Sequence, residues 1–543
     1  MTGPQSPTAP AAPAPDDAAT RIAAGYGASG AALALGAVVH GGGPHPDAQV
    51  RVPLAMLNRH GLIAGATGTG KTKTLQLLAE QLSAAGVPVV VADVKGDLSG
   101  LAQPGAGGDR ITGRAAQTGD DWTATGFPVE FLALGGLGSG VPVRATMTAF
   151  GPTLLAKVLD LNPTQESSLA LVFHYADRAG LPLLDLKDLR SVLTWLTGDE
   201  GKADLAGLGG LSPATAGVIL RDLISLEDMG GDVFFGEPEW EPADLMRSAP
   251  DGRGVISAIE LSAVQDRPAL FSTFLLWLLA ELFEDLPEVG DLDRPKLVFF
   301  FDEAHLLFTG ASKAFLTSVT QTVRLIRSKG VGIFFVTQNP GDLPGEVLGQ
   351  LGNRVQHALR TFTPEDAKAL AKTVSTFPRT QDYDLEEALT SLGIGEAMVT
   401  VLSERGAPTP VTWTMLRSPR SLMAQLDPAE QQRQVAASPL QARYGAPVDR
   451  ESAYERLAAR LAPAPSPAAP AAPAEQPPPE QQDHHTDDRT DDRTDDHRDG
   501  GGAGEAVAKV LGSPAFRAFA RSAASALGRE VTRGILGTRS RRR

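Results

Sequence analysis

Gly65-Ala66-Thr67-Gly68-Thr69-Gly70-Lys71-Thr72 places three glycines, a lysine and a hydroxyl where a polyphosphate can be held. The run fits the G-x-x-x-x-G-K-[ST] pattern of phosphate-binding loops in full. Gly65, Gly68 and Gly70 permit backbone angles that a side chain would block. Successive N–H groups, Ala66, Thr67 and Thr69 among them, can then turn inward onto phosphate oxygens. A helix starting near Lys71 adds the positive end of its dipole. Lys71 is placed to reach the β- and γ-phosphates of ATP, and Thr72 to put its hydroxyl on Mg²⁺. The alternative is an ordinary glycine-rich turn, and the flanks argue against it. The apolar Leu62-Ile63-Ala64 precedes the loop and a helical stretch, Thr74 to Leu82, follows it.

A second group completes the chemistry of phosphoryl transfer. Leu297 to Phe301 is an apolar run that ends in Asp302 and Glu303. A buried strand stopping at two acids suits a Walker B arrangement. There Asp302 holds Mg²⁺, mostly through its waters, and Glu303 polarises the attacking water. Val331 to Thr337 is another apolar run, and it leads into Gln338-Asn339-Pro340. Gln338 is the candidate to sense the γ-phosphate or orient water; a turn residue before a proline is the plainer reading. Arg360 ends the expected strand Arg354 to Leu359 and can serve a neighbouring subunit as an arginine finger. Arg324 and Arg327 compete for that part, and a surface ion pair is the alternative for all three. Asp302-Glu303-Ala304-His305 alone resembles the DEAH-box signature. The long gap from Lys71 and the lack of a glutamine-arginine-glycine run do not fit, so His305 reads as a helix-start residue.

These groups need strands that stop on one edge and helices that start there. Strand-like and helix-like segments alternate, which predicts an α/β fold on a parallel sheet. Val89 to Ala92, Val255 to Leu261, Leu297 to Phe301, Val331 to Thr337 and Arg354 to Leu359 are the expected strands. Glu396 to Leu402 and Pro410 to Met415 read as a closing hairpin. Residues 1–20 are Pro/Ala-rich and expected to be disordered. Residues 21–58 form a short strand-containing lead-in, and 59–425 the core. A mostly helical insertion is expected at about 104–250. A helical extension spans 426–460. Residues 461–503, with Pro/Ala repeats and Thr-Asp-Asp-Arg repeats, read as a disordered linker. Residues 504–543 read as a basic amphipathic helix: Phe516, Phe519, Ala523, Leu527, Val531 and Ile535 share one face. Such a helix can bind a membrane surface, a protein or nucleic acid, or fold back on its own core.

Composition narrows the field. The 543 residues contain no cysteine, which excludes disulfides, thiolate zinc sites and cysteine nucleophiles. A net charge of −15 argues against a generally basic nucleic-acid binder, so any DNA contact must be local. No basic start and no long apolar span are evident; Ala269 to Ala280 is too short to cross a bilayer and reads as a buried helix. A cytoplasmic protein is expected.

Longer runs resemble the bacterial HerA-like ATPases typified by YjgR. They include Asn58-Arg59-His60-Gly61-Leu62-Ile63, Asp93-Val94-Lys95-Gly96-Asp97-Leu98-Ser99-Gly100 and Leu161-Asn162-Pro163-Thr164-Gln165. Phe234-Phe235-Gly236-Glu237-Pro238, Arg327-Ser328-Lys329-Gly330 and Val355-Gln356-His357-Ala358-Leu359-Arg360 extend the likeness. The resemblance implies a RecA-like P-loop NTPase of the HerA/FtsK group. Members of that group commonly form hexameric rings that move double-stranded DNA, with the arginine finger acting between subunits. The N-terminal barrel of archaeal HerA, which helps bind a partner nuclease there, is reduced here to the short lead-in. The leading expectation is therefore a Mg²⁺-dependent ATPase driving a DNA translocase or helicase. The alternative is a nucleotide-switched scaffold on a membrane or protein partner.

Overall fold

The computed structural model describes residues 17–461, apart from 206, 291, 310 and 311. The expected linker and basic C-terminal helix, and nearly all of the Pro/Ala-rich start, lie outside the described residues.

Among the described residues, twelve strands form one sheet. In chain order they are β1 (Ala32–His40), β2 (Gly43–Pro53), β3 (Gly61–Ala64), β4 (Val89–Asp93), β5 (Val129–Leu134) and β6 (Val141–Val143). Then come β7 (Ile256–Glu260), β8 (Leu297–Phe301), β9 (Val331–Thr337), β10 (Asn353–Gln356), β11 (Glu396–Thr400) and β12 (Thr412–Leu416). Their spatial order is β2-β1-β12-β11-β10-β3-β9-β8-β4-β7-β5-β6. Every pairing from β10 to β6 is parallel, and every pairing from β10 outward to β2 is antiparallel.

The parallel strands are apolar throughout because both faces are covered. Successive residues of β8 enter different cores: Leu297, Phe299 and Phe301 join one cluster, Val298 and Phe300 the other. The first core also takes in the helices at Pro163–Arg178, Leu186–Thr197, Pro213–Leu226 and Pro268–Asp285. The last of these buries residues on every side, Leu275 to Leu279 among them, as expected for a helix with no polar face. The second core holds the helix Lys71–Ala84 and the inner faces of β1 and β2.

The structure adds to two expectations and revises a third. The strands of the lead-in join the main sheet, because β1 pairs with β12 and its hairpin with β2 continues it. The stretch at 104–250 carries, beside its helices, β5 and β6, which extend the parallel sheet past β7. The glycine-rich turn at 135–140 between these short runs hides their period. Finally, β10 stops at Gln356, so Arg360 lies in the loop beyond it rather than at a strand end. His357 N still donates to Ala64 O, but β11 approaches β10 only over Arg354–Gln356.

Candidate active site

The strand order puts the tips of β3, β9, β8 and β4 side by side on one sheet edge. Each carries a different part of the site. Beyond β3, residues 65–70 form the phosphate loop, with Gly65, Gly68 and Gly70 at φ 151°, 79° and 115°. A Cβ on Gly65 would come within 2.5 Å of the His357 Cβ, so the loop has room for hydrogen only at that point. Thr67 and Gly68 are exposed at its tip. Ala66 N donates to Ala358 O at 2.8 Å, and Ala66 O accepts from Thr69 Oγ1 at 2.7 Å and Lys71 Nζ at 3.1 Å. Lys71 is the first residue of the helix Lys71–Ala84, followed by the half-buried Thr72. Burial lowers the Lys71 pKa, and the Glu303 carboxylate works against that.

Behind the loop lies a residue that sequence reasoning missed. His357 is fully buried and its Nε2 meets Thr74 Oγ1 at 2.9 Å. Burial pushes its pKa down to about 4, so it supports the loop as a neutral ring. The sequence held a hint: a histidine two residues past the apolar Val355 stands where β10 ends. Further support comes from Gly395 N, which donates to Thr69 O at 3.0 Å, and from Arg114, whose Nη2 donates to Ile394 O at 3.0 Å.

Beyond β9, Gln338 is exposed, with Oε1 accepting from Thr67 Oγ1 at 3.4 Å. The structure thus brings Gln338 onto the phosphate loop. Beyond β8, Asp302 and Glu303 are 2% and 5% exposed, which takes two carboxylates out of water together. Burial, then the charge of Glu303, pushes Asp302 up to about 7. Glu303 has φ 46°, a left-handed conformation that side chains rarely adopt and that recurs at functional sites. Its Oε1 accepts from Lys95 Nζ, and His305 Nδ1 lies 3.3 Å from its Oε2. His305 does sit in a short helix, Ala304–Leu307, and it also flanks the acid.

The tip of β4 contributes residues not singled out as site residues. Asp93, Asp97 and Asp302 bring carboxylate oxygens within 4.8 Å of one another. Burial pushes Asp93 up to about 6. Asp302 Oδ2 and Asp97 Oδ1 are buried without a hydrogen-bond partner. Orphaned acidic oxygens beside a phosphate loop fit a hard divalent cation such as Mg²⁺. The spacing Asp93-x-x-x-Asp97 after an apolar strand was the available signal. Arg360, Arg324 and Arg327 are exposed and do not join this group within one chain.

A glycine loop, a buried acid pair and a polar strand tip between them, all on one edge of a mostly parallel sheet, define a RecA-like P-loop NTPase. The chain belongs to the Helicase HerA-like C-terminal family, which it matches over residues 41–543, and it is a P-loop ATPase. No curated protein sequence matches it. Among solved structures, the unbound bacterial conjugative coupling protein TrwBdeltaN70 is 15% identical with a TM-score of 0.49, covering 75% of this chain and 94% of that one. TrwB in complex with ADP and Mg²⁺ is 17% identical with a TM-score of 0.44, covering 73% and 98%. VirB4 of Thermoanaerobacter pseudethanolicus is 15% identical with a TM-score of 0.44, covering 72% and 98%. Among the described residues, no helix is long and apolar enough to cross a membrane.

Proposed function

We propose that the chain hydrolyses ATP with Mg²⁺ and uses the energy, as a homo-oligomeric ring, to move double-stranded DNA. The supporting observation is the strand order β3-β9-β8, which sets the glycine loop and the acid pair one strand apart on the same edge. Phosphoryl transfer needs positioning and charge neutralisation more than covalent chemistry. The loop amides and Lys71 bind the phosphates. Thr72 and Asp302 would hold Mg²⁺, which when bound neutralises charge on the phosphate oxygens. Glu303 accepts the proton of the attacking water, and Gln338, beside Thr67, orients that water or reads the γ-phosphate. Arg360, exposed beyond β10, completes the site of a neighbouring subunit.

ATP turnover measured with and without duplex DNA, across a salt series, tests the proposal. Stimulation that falls steeply with salt supports a DNA motor. Turnover indifferent to DNA at every salt concentration refutes the motor and favours the switched scaffold, a reading to which the net charge of −15 lends weight. The trans role of Arg360 has its own test. Mixed Lys71→Ala and Arg360→Ala subunits regain activity if the finger crosses the interface; mixed assemblies without rescue count against it.

A further inference from the structure

Lys95 belongs to neither the phosphate loop nor the acid pair, yet it ends between them. Its backbone is fixed. Asp93 Oδ1 accepts from Lys95 N at 3.2 Å and from Gly96 N at 2.7 Å, while Asp93 Oδ2 accepts from Leu98 N at 3.0 Å. Its side chain is different. It is 47% exposed, and its ammonium donates to a Glu303 side chain that is only 6% exposed. The pair therefore joins a fixed, buried carboxylate to a cation on a long stem that reaches in from solvent.

A further observation places this cation in the nucleotide site. The charges that act on Lys71 are those of Glu303, Lys95 and Asp302, so both ammoniums lie near the same acid pair. With Oε1 held by the Lys95 ammonium, the Glu303 carboxylate is fixed in orientation, its Oε2 lying 3.3 Å from His305 Nδ1. A triphosphate seated in the loop brings its terminal phosphate to Lys71. That group has more negative charge and more acceptor oxygens than one carboxylate, and it forms stronger charge-assisted hydrogen bonds.

We infer that Lys95 is a two-position lysine: it restrains Glu303 in the arrangement seen here, and exchanges that partner for the γ-phosphate of a bound nucleoside triphosphate. The exchange frees Glu303 to turn toward the attacking water only when a third phosphate is present. A diphosphate lacks the competing group and leaves the pair closed. Lys95 thereby discriminates ATP from ADP and ties the base to occupancy of the site. The inference rests on Glu303 being the base.

The test measures affinities of the full chain for ADP and for a non-hydrolysable ATP analogue, both with Mg²⁺. Lys95→Met should leave ADP affinity unchanged and weaken the analogue about tenfold, with kcat falling as well. Lys95→Arg should restore most of the analogue affinity. Glu303→Gln should bind the analogue more tightly than the wild type, because Lys95 is no longer held by a charge. The double variant should lose that tightening. Lys95→Gln supplies the measurement if the methionine variant fails to fold. Unchanged analogue-to-ADP ratios in the Lys95 variants, or tightening that survives in the double variant, overturn the inference. Wild-type turnover by Glu303→Gln is a separate outcome that removes the base assignment, and the inference with it. An inactive Glu303→Gln beside an unaffected Lys95→Met removes the inference alone.

Discussion

The tips of β3 and β8 stand on the same sheet edge and solve opposite problems. Beyond β3 the recognising groups are backbone amides, exposed at Thr67 and Gly68, and His357, which backs the loop from beyond β10, is kept neutral. Beyond β8 the groups are charged and buried: Asp302 and Glu303, with Asp93 and Asp97 from β4 crowding Asp302. Amides cost little to hold ready, because they need only a backbone path. Two adjacent carboxylates out of water are costly unless something offsets their charge. The loop is thus built to receive negative charge, and the acid tip to receive positive charge. A site for a magnesium nucleotide needs both.

Glu303→Gln cuts deepest into this contrast. It should lower kcat by roughly 10²–10⁴-fold while nucleotide binding persists, since a base is lost and the cradle is not. Equal loss of binding and turnover would mean the two tips are not separable. Lys71→Met attacks the other side. It should reduce turnover by roughly 10²–10³-fold and weaken triphosphate binding with it, as measured by calorimetry beside steady-state kinetics.

Gly65→Ala probes the cradle without touching charge. The added methyl would meet His357 at 2.5 Å, and overpacking of this kind costs roughly 1–3 kcal/mol. Nucleotide affinity and melting temperature should both fall, and an alanine variant that binds normally would show that the loop path is not so confined. The smallest effect concerns pH. His357 titrates near 6.5 when unfolded and about 4 when folded, so it favours the folded state fully above about pH 6.5 and loses that contribution as pH falls toward 4. His357→Gln should shrink the drop in melting temperature between about pH 7 and pH 5 by about 2–4 °C. An unchanged drop would mean that His60, also buried with a pKa of about 4, carries the acid sensitivity.

The same contrast governs what the sequence disclosed. The phosphate loop is contiguous, so its eight residues and both flanks could be read directly. β8 and β9 were readable to the residue, because a five- or seven-residue apolar run with no polar break has one register. The charged surroundings of Glu303 were not. Lys95 and Asp93 come from a segment some 200 residues before the acid pair, and only the sheet order brings them together. β5 and β6 escaped notice for another reason: short strands beside glycine-rich turns have too few residues to display a period of two. Arg360 shows the limit of local reading most plainly. Its run looked extended to the end, but β11 offers partners only as far as Gln356.

β9 lies between the two tips, with all seven residues buried and a bonded neighbour on each flank. Buried on both faces and paired along both edges, it holds its two ends at a set separation. At one end is Gln338, touching the phosphate loop; at the other, past Gly330, is the turn bearing Arg327 and Lys329. Gln338 and the turn bearing Arg327 and Lys329 are thus the two ends of one enclosed element rather than the ends of separate loops.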